Sequence, residues 1–172
     1  MIHILTPKTC IEIEKDTLVF FLAGPVRGGD DWQKDCCDLL EKYLPDTNFY
    51  VAIPYYLDIL PKEHIAFTQK VEGDQNHFPR QLDWERYYLE LASKQGCIIF
   101  WLPEESKTNP RIGGGPYATD TRGELGEWRG RMVYDKNLHV VVGGQEGFDG
   151  LDIIKRNFTH VAASVNRILS GA

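Results

Sequence analysis

Four short apolar runs, each stopped by proline or glycine, constrain this chain more than anything else in it. They are Leu18 to Ala23 before Gly24-Pro25, Phe49 to Ile53 before Pro54, Cys97 to Leu102 before Pro103, and Leu138 to Val142 before Gly143-Gly144. Runs of five or six apolar residues without polar alternation are the form of strands covered on both faces. Between the first two, Trp32, Cys36, Leu39, Leu40 and Tyr43 recur at the spacing of one helical face, and Pro45 ends the pattern. The opening unit is therefore expected to be βαβ. Further helices are expected over Leu82 to Ser93, from near Arg122 through Leu125 and Trp128 to about Val133, and over Leu151 to Phe158. A last apolar face lies at Val161, Val165 and Ile168. Ile2 to Ile4 and Cys10 to Ile13 suggest a short hairpin before the first run. Tyr55 to Arg80 has little periodicity and reads as a long loop, serving as a lid or an interface. Strands alternating with helices in 172 residues indicate one α/β domain with a mostly parallel sheet and helices on both faces.

Composition narrows the function. Apolar residues make up 42% and charged residues 26%, which excludes disorder and fibrous repeats. The net charge of -6 argues against a nucleic-acid polymer as partner, because phosphate backbones need clustered Lys and Arg. The run Leu18 to Ala23 is far short of the ~20 residues that span a bilayer, and the first ten residues lack an export pattern, so a cytoplasmic protein with no membrane partner is expected. Cys10, Cys36, Cys37 and Cys97 form no CxxC pair and read as reduced core thiols. The five histidines show no ligand spacing, and no metal or organic cofactor is expected.

In a sheet of this kind ligands bind beyond the carboxyl ends of the strands, which places Gly24 to Gly29, the loop after Leu102 and the helix start at Glu124 around one cleft. Leu22 to Trp32 (LAGPVRGGDDW) ends a strand in a glycine turn that lets backbone N–H groups approach a ligand. The same segment could simply begin a helix, with Asp30 or Asp31 as N-cap. Thr119 to Trp128 (TDTRGELGEW) carries Glu124 between Gly123 and Gly126. Thr121-x-x-Glu124 fits a capping box, yet two glycines in a first helical turn cost roughly 1 kcal/mol each, which close approach of a ligand would offset. A carboxylate beside a helix N-terminus is expected to stay ionised, as a nucleophile must. Asp83-Trp84-Glu85 adds a second acid. Two carboxylates in one cleft can divide the work of retaining glycosyl transfer, one attacking a sugar carbon and the other serving the leaving group.

At Phe21-Leu22-Ala23-Gly24-Pro25, Trp84-Glu85, Phe100-Trp101-Leu102-Pro103 and Glu124-Leu125-Gly126-Glu127-Trp128, the chain resembles the nucleoside 2-deoxyribosyltransferase family, in its deoxyribosyltransferase-like branch. The resemblance implies a Rossmann or flavodoxin-like sheet, a homo-oligomer, and a covalent deoxyribosyl intermediate on the glutamate matching Glu124. It implies a base-contacting acid at Glu85, with Asp83 as the alternative. Asp120 lies nearer the nucleophile than the family's other substrate-contacting acid usually does, and a family tyrosine on the first strand stands here as Phe20 or Phe21. Gly24, Pro25, Arg27, Gly28 and Gly123 would line the substrate, and Trp32 or Trp84 would stack on the base. The expected activity is transfer of the sugar from a nucleoside to a free nucleobase. Arg27-Gly28-Gly29 also resembles the phosphate-holding turn of deoxynucleoside 5′-monophosphate N-glycosidases, which implies nucleotide hydrolysis as the alternative. A nucleotide-binding sensor without turnover is the third.

Overall fold

The computed structural model describes residues 1–29, 31–54, 77–113 and 115–170. Its elements are β1 (Ile2–Leu5), β2 (Leu18–Ala23), α1 (Trp32–Tyr43), β3 (Phe49–Ala52), α2 (Gln81–Gln95), β4 (Gly96–Leu102), α3 (Thr119–Tyr134), β5 (Val140–Gly144), α4 (Leu151–Asn157) and α5 (Val165–Ser170). The strands form one sheet in the order β1-β3-β2-β4-β5, with every pair parallel. The α/β, Rossmann-like architecture expected from the apolar runs is what the chain adopts.

Period-two geometry divides the strands between two cores. In β4, Ile98, Phe100 and Leu102 face a cluster with Trp84, Tyr88 and Leu89 of α2, Leu125 and Trp128 of α3, and Leu151 and Ile154 of α4. The alternate residues Cys97, Ile99 and Trp101 face Trp32, Cys36, Cys37 and Leu40 of α1 and Ile168 of α5. Helices therefore cover both faces, and this is why β2 and β4 read as unbroken apolar runs. β2 sits at the centre. From it the chain passes through α1 to β3 on one side, then returns through α2 to β4 on the other, so the strand order reverses between β2 and β4. At such a reversal the connections diverge and leave a crevice at the carboxyl ends of the strands.

Several expectations need correction. β1 is an edge strand whose residues pair in parallel with β3, Ile2 opposite Phe49 and Leu5 opposite Ala52, rather than half of a hairpin with Cys10 to Ile13. Edge strands gain their hydrogen bonds from a distant partner, which local pattern does not reveal. α3 begins at Thr119, so Thr121 lies inside the helix and is no N-cap; that position belongs to Ala118, in the left-handed region at φ 59°. The capping-box explanation of Glu124 is thereby removed. β5 starts at Val140 and runs through Gly143-Gly144, which the sequence marked as its stop. Of the segment Tyr55 to Arg80, residues 55–76 lie outside the described residues, as does Asp30.

α2 and α3 carry the acids of interest, and they are tied together beyond their apolar contacts. Arg131 of α3 pairs with Glu90 of α2, and its guanidinium lies 4.1 Å from the centre of the Trp128 ring. That pair ties the later turns of the two helices together.

Candidate active site

A cavity of about 750 Å³ opens at the carboxyl edge of the sheet. Its floor is Ala23 and Gly24 at the end of β2, and its walls come from Pro25 to Arg27, Pro54 after β3, the first turn of α2, Arg111, and the first turns of α3. The volume lies within the ~300–1,000 Å³ typical of small-molecule sites. It is the crevice the strand reversal predicts.

The turn after β2 is positioned by close backbone packing. Gly28 has φ +78°, and a Cβ there would lie 2.9 Å from the backbone nitrogen of Arg111, so both conformation and space call for glycine. The amide of Ser106 donates to the carbonyl of Gly28 at 2.6 Å. These contacts lock the turn carrying Arg27 against the loop carrying Arg111, and both arginines reach the same cavity. Gly28 itself supports the wall from behind.

Among the described residues, three carboxyl groups line the cavity: Glu85 from α2, and Asp120 and Glu124 from α3. The amide of Gln81, one turn before Glu85, donates to Glu85 Oε1 at 2.7 Å. Burial pushes the Glu85 carboxyl above its ordinary range; the Gln81 hydrogen bond opposes this and the Asp120 charge adds to it. Glu124 is pushed further, to about 8, first by burial and then by the charges of Glu85, Asp120 and Glu127. Glu124 therefore carries its proton at neutral pH in the free protein, contrary to the expectation of an ionised carboxylate. The dipole at a helix N-terminus is worth about 0.3–1 kcal/mol, less than the cost of crowding acids in a half-buried site. Of the two acids, Glu124 holds its proton the more tightly.

Asp83 and Glu85 are separated by the geometry. Asp83 forms a two-pronged pair with Arg80 at 2.9 and 2.7 Å and does not line the cavity, and that partner holds its carboxyl below the usual range. Glu85 is the acid of α2 that faces the ligand space. Trp32 and Trp84 are also excluded from it. Trp32 is 3% exposed and donates from its indole to the Pro25 carbonyl, while Trp84 is fully buried and donates to the Thr9 carbonyl. Neither indole can stack on a base; they are core anchors for the two loops. Phe21 packs against Trp84 in the same core, with ring centres 5.9 Å apart. Gly24, Pro25, Arg27, Asp120, Gly123 and Glu124 all line the cavity as expected.

Sequence reasoning missed Gln81 and Arg111. Gln81 is the first residue of α2, one turn before an acid, a spacing that lets i and i+4 side chains meet. Arg111 sits in the glycine-rich loop after β4, and the loop's place beyond a strand end was the available signal.

Among the described residues, no group of three or more His, Cys, Asp or Glu side chains could hold a metal ion. No helix among them is long and apolar enough to cross a membrane. No protein-family model and no curated protein matches this chain. The family resemblance therefore rests on the motif segments themselves.

Proposed function

We propose that this protein breaks the N-glycosidic bond of a nucleoside-type substrate, with Glu124 as nucleophile and Glu85 serving the departing base. The observation that carries this reading is that Glu124 and Glu85, from different helices, line one cavity of substrate size, where the charge of Glu85 adds to the burial that raises the proton affinity of Glu124. In the first step the ionised Glu124 carboxylate bonds to the anomeric carbon as the carbon–nitrogen bond breaks. The base leaves with the bonding electron pair and takes up a proton from the acid pair. The transition state has oxocarbenium character, and its positive charge favours the ionised form of Glu124 as the reaction begins. The proton that Glu124 gives up on becoming the nucleophile passes to the departing base through Glu85, the other acid of the cavity. A second displacement by a free nucleobase, or by water, releases the sugar with retained configuration. Gly24 and Pro25 present bare backbone to the sugar side. No metal or organic cofactor takes part.

A second reading, hydrolysis of deoxynucleoside 5′-monophosphates, is favoured by Arg27 and Arg111 lining the same cavity as the acids. Guanidinium groups suit a phosphate through paired, charge-assisted hydrogen bonds. Incubation with deoxynucleosides and deoxynucleoside 5′-monophosphates, with and without a second free base, tests both readings. Base exchange identifies the transferase and base release alone the hydrolase. Binding without release from any substrate sinks both in favour of a sensor.

A further inference from the structure

Gln81 is the first residue of α2, and its amide nitrogen makes two contacts in the candidate site. It donates to Glu85 Oε1 at 2.7 Å and to the carbonyl of Pro54, just beyond β3, at 3.3 Å. The Pro54 carbonyl can only accept, and a carboxylate can only accept, so the nitrogen and not the oxygen of the amide must occupy this position. The two hydrogens of one NH2 group thus tie the acid to the end of a strand. Gln81 also lines the cavity, so the tie lies at the ligand's edge rather than behind it.

We infer that Gln81 is a positioning residue for Glu85: its amide clamps Oε1 against the Pro54 carbonyl and leaves Oε2 as the oxygen that meets the leaving base. The inference deepens the proposed glycosidic reading and rests on it for the identity of the base. Facing Glu85 in the same cavity are Asp120 and Glu124 from α3, Arg27 from the turn after β2, and Arg111 from the loop after β4. Glu85 repels the charge of Glu124, and Asp120 repels both. A donor on Glu85 favours its charged form, so without the Gln81 amide Glu85 binds its proton more tightly. Gln81 therefore sets the proton affinity of Glu85 as well as how it is aimed.

The test compares wild type with Gln81→Leu and with Gln81→Met, which keeps the length of the side chain. Glutamate side-chain carboxyls are titrated by carbon NMR in the protein without substrate, with Glu85→Gln and Glu124→Gln assigning the signals. Loss of the donor should raise the Glu85 titration by about one pH unit. Base release should fall by about tenfold or more, mainly in kcat, with its pH profile displaced accordingly. Titrations that coincide with wild type in a folded variant overturn the proposal. Because the titration needs no substrate, it can fail while wild-type base release stands, or hold while base release is absent.

Discussion

α1 and α3 both start just beyond the carboxyl end of a strand, yet they are stabilised in opposite ways. α1 buries Trp32, Cys36, Cys37 and Leu40, with Gln33, over its first nine residues. α3 buries only Thr121, Leu125 and Trp128, starts from a left-handed alanine, and carries Gly123, Gly126 and Gly130, at none of which a Cβ would meet a neighbour within 4 Å. Steric need does not explain those glycines. α3 gives up helix propensity along its length and brings two unpaired acids to the cavity, whereas α1 spends its sequence on packing. Departures from local consistency are expected to gather at functional sites, and here they gather on one helix.

The sharpest way to break this comparison is Glu124→Gln. The amide fills the same space but cannot attack as an anion, so turnover should fall by roughly 10³-fold or more in the base-release assay. A loss within about threefold would remove Glu124 from the nucleophile role. The same variant carries a stability signature. The folded-state pKa of about 8 lies above the ordinary 4.5, so the folded chain binds this proton more tightly than the unfolded chain does. Its contribution is full below the ordinary value and is lost as pH rises through about 8. Wild type should therefore lose stability relative to Glu124→Gln between about pH 5 and 9, by a few kcal/mol at most. Thermal melts of both proteins across that range check the sign.

On the packing side, Leu40→Ala should cost about 2–5 kcal/mol in urea unfolding, because Leu40 is 3% exposed within the α1 core. Its kinetics in conditions where it remains folded should be unchanged. Arg27→Ala and Arg111→Ala refine the site rather than the core. If a phosphate sits between them, each should weaken a nucleotide substrate by about tenfold or more and spare a nucleoside. Equal losses on both substrates would assign the arginines to holding the loops. The smallest effect is expected at Gly130→Ala, on the part of α3 remote from the cavity, which should stabilise by about 1 kcal/mol with no kinetic change. Gly123→Ala, inside the cavity wall, should give similar stability but weaker substrate binding.

The same contrast explains how much could be read from the sequence. Leu18 to Ala23 and Cys97 to Leu102 announced the central strands because burial on both faces leaves only apolar residues, and the α1 stripe announced its helix. The edge strand β1 was misread, since its partner β3 is more than 40 residues away. Glu124, Gly24 and the pair Asp83 and Glu85 could be singled out from glycine turns, strand ends and paired acids, while the choice of Glu85 and the role of Arg27 came from the family resemblance. Their electrostatics could not be read, because the state of Glu124 depends first on its burial and then on how closely α2 brings Glu85, and both are set by packing. Trp32 and Trp84 misled for the same reason. An aromatic beside a site residue reads the same whether it points into the cavity or into the core.

The central claim is a covalent sugar on Glu124. Wild-type protein mixed with a deoxynucleoside or deoxynucleotide, quenched in acid and digested, should yield a peptide containing Glu124 that has gained the mass of the sugar. Glu124→Gln should yield none. Base release in the wild type without any such adduct, and with inverted configuration at the anomeric carbon, would contradict the account and assign Glu124 to activating water instead.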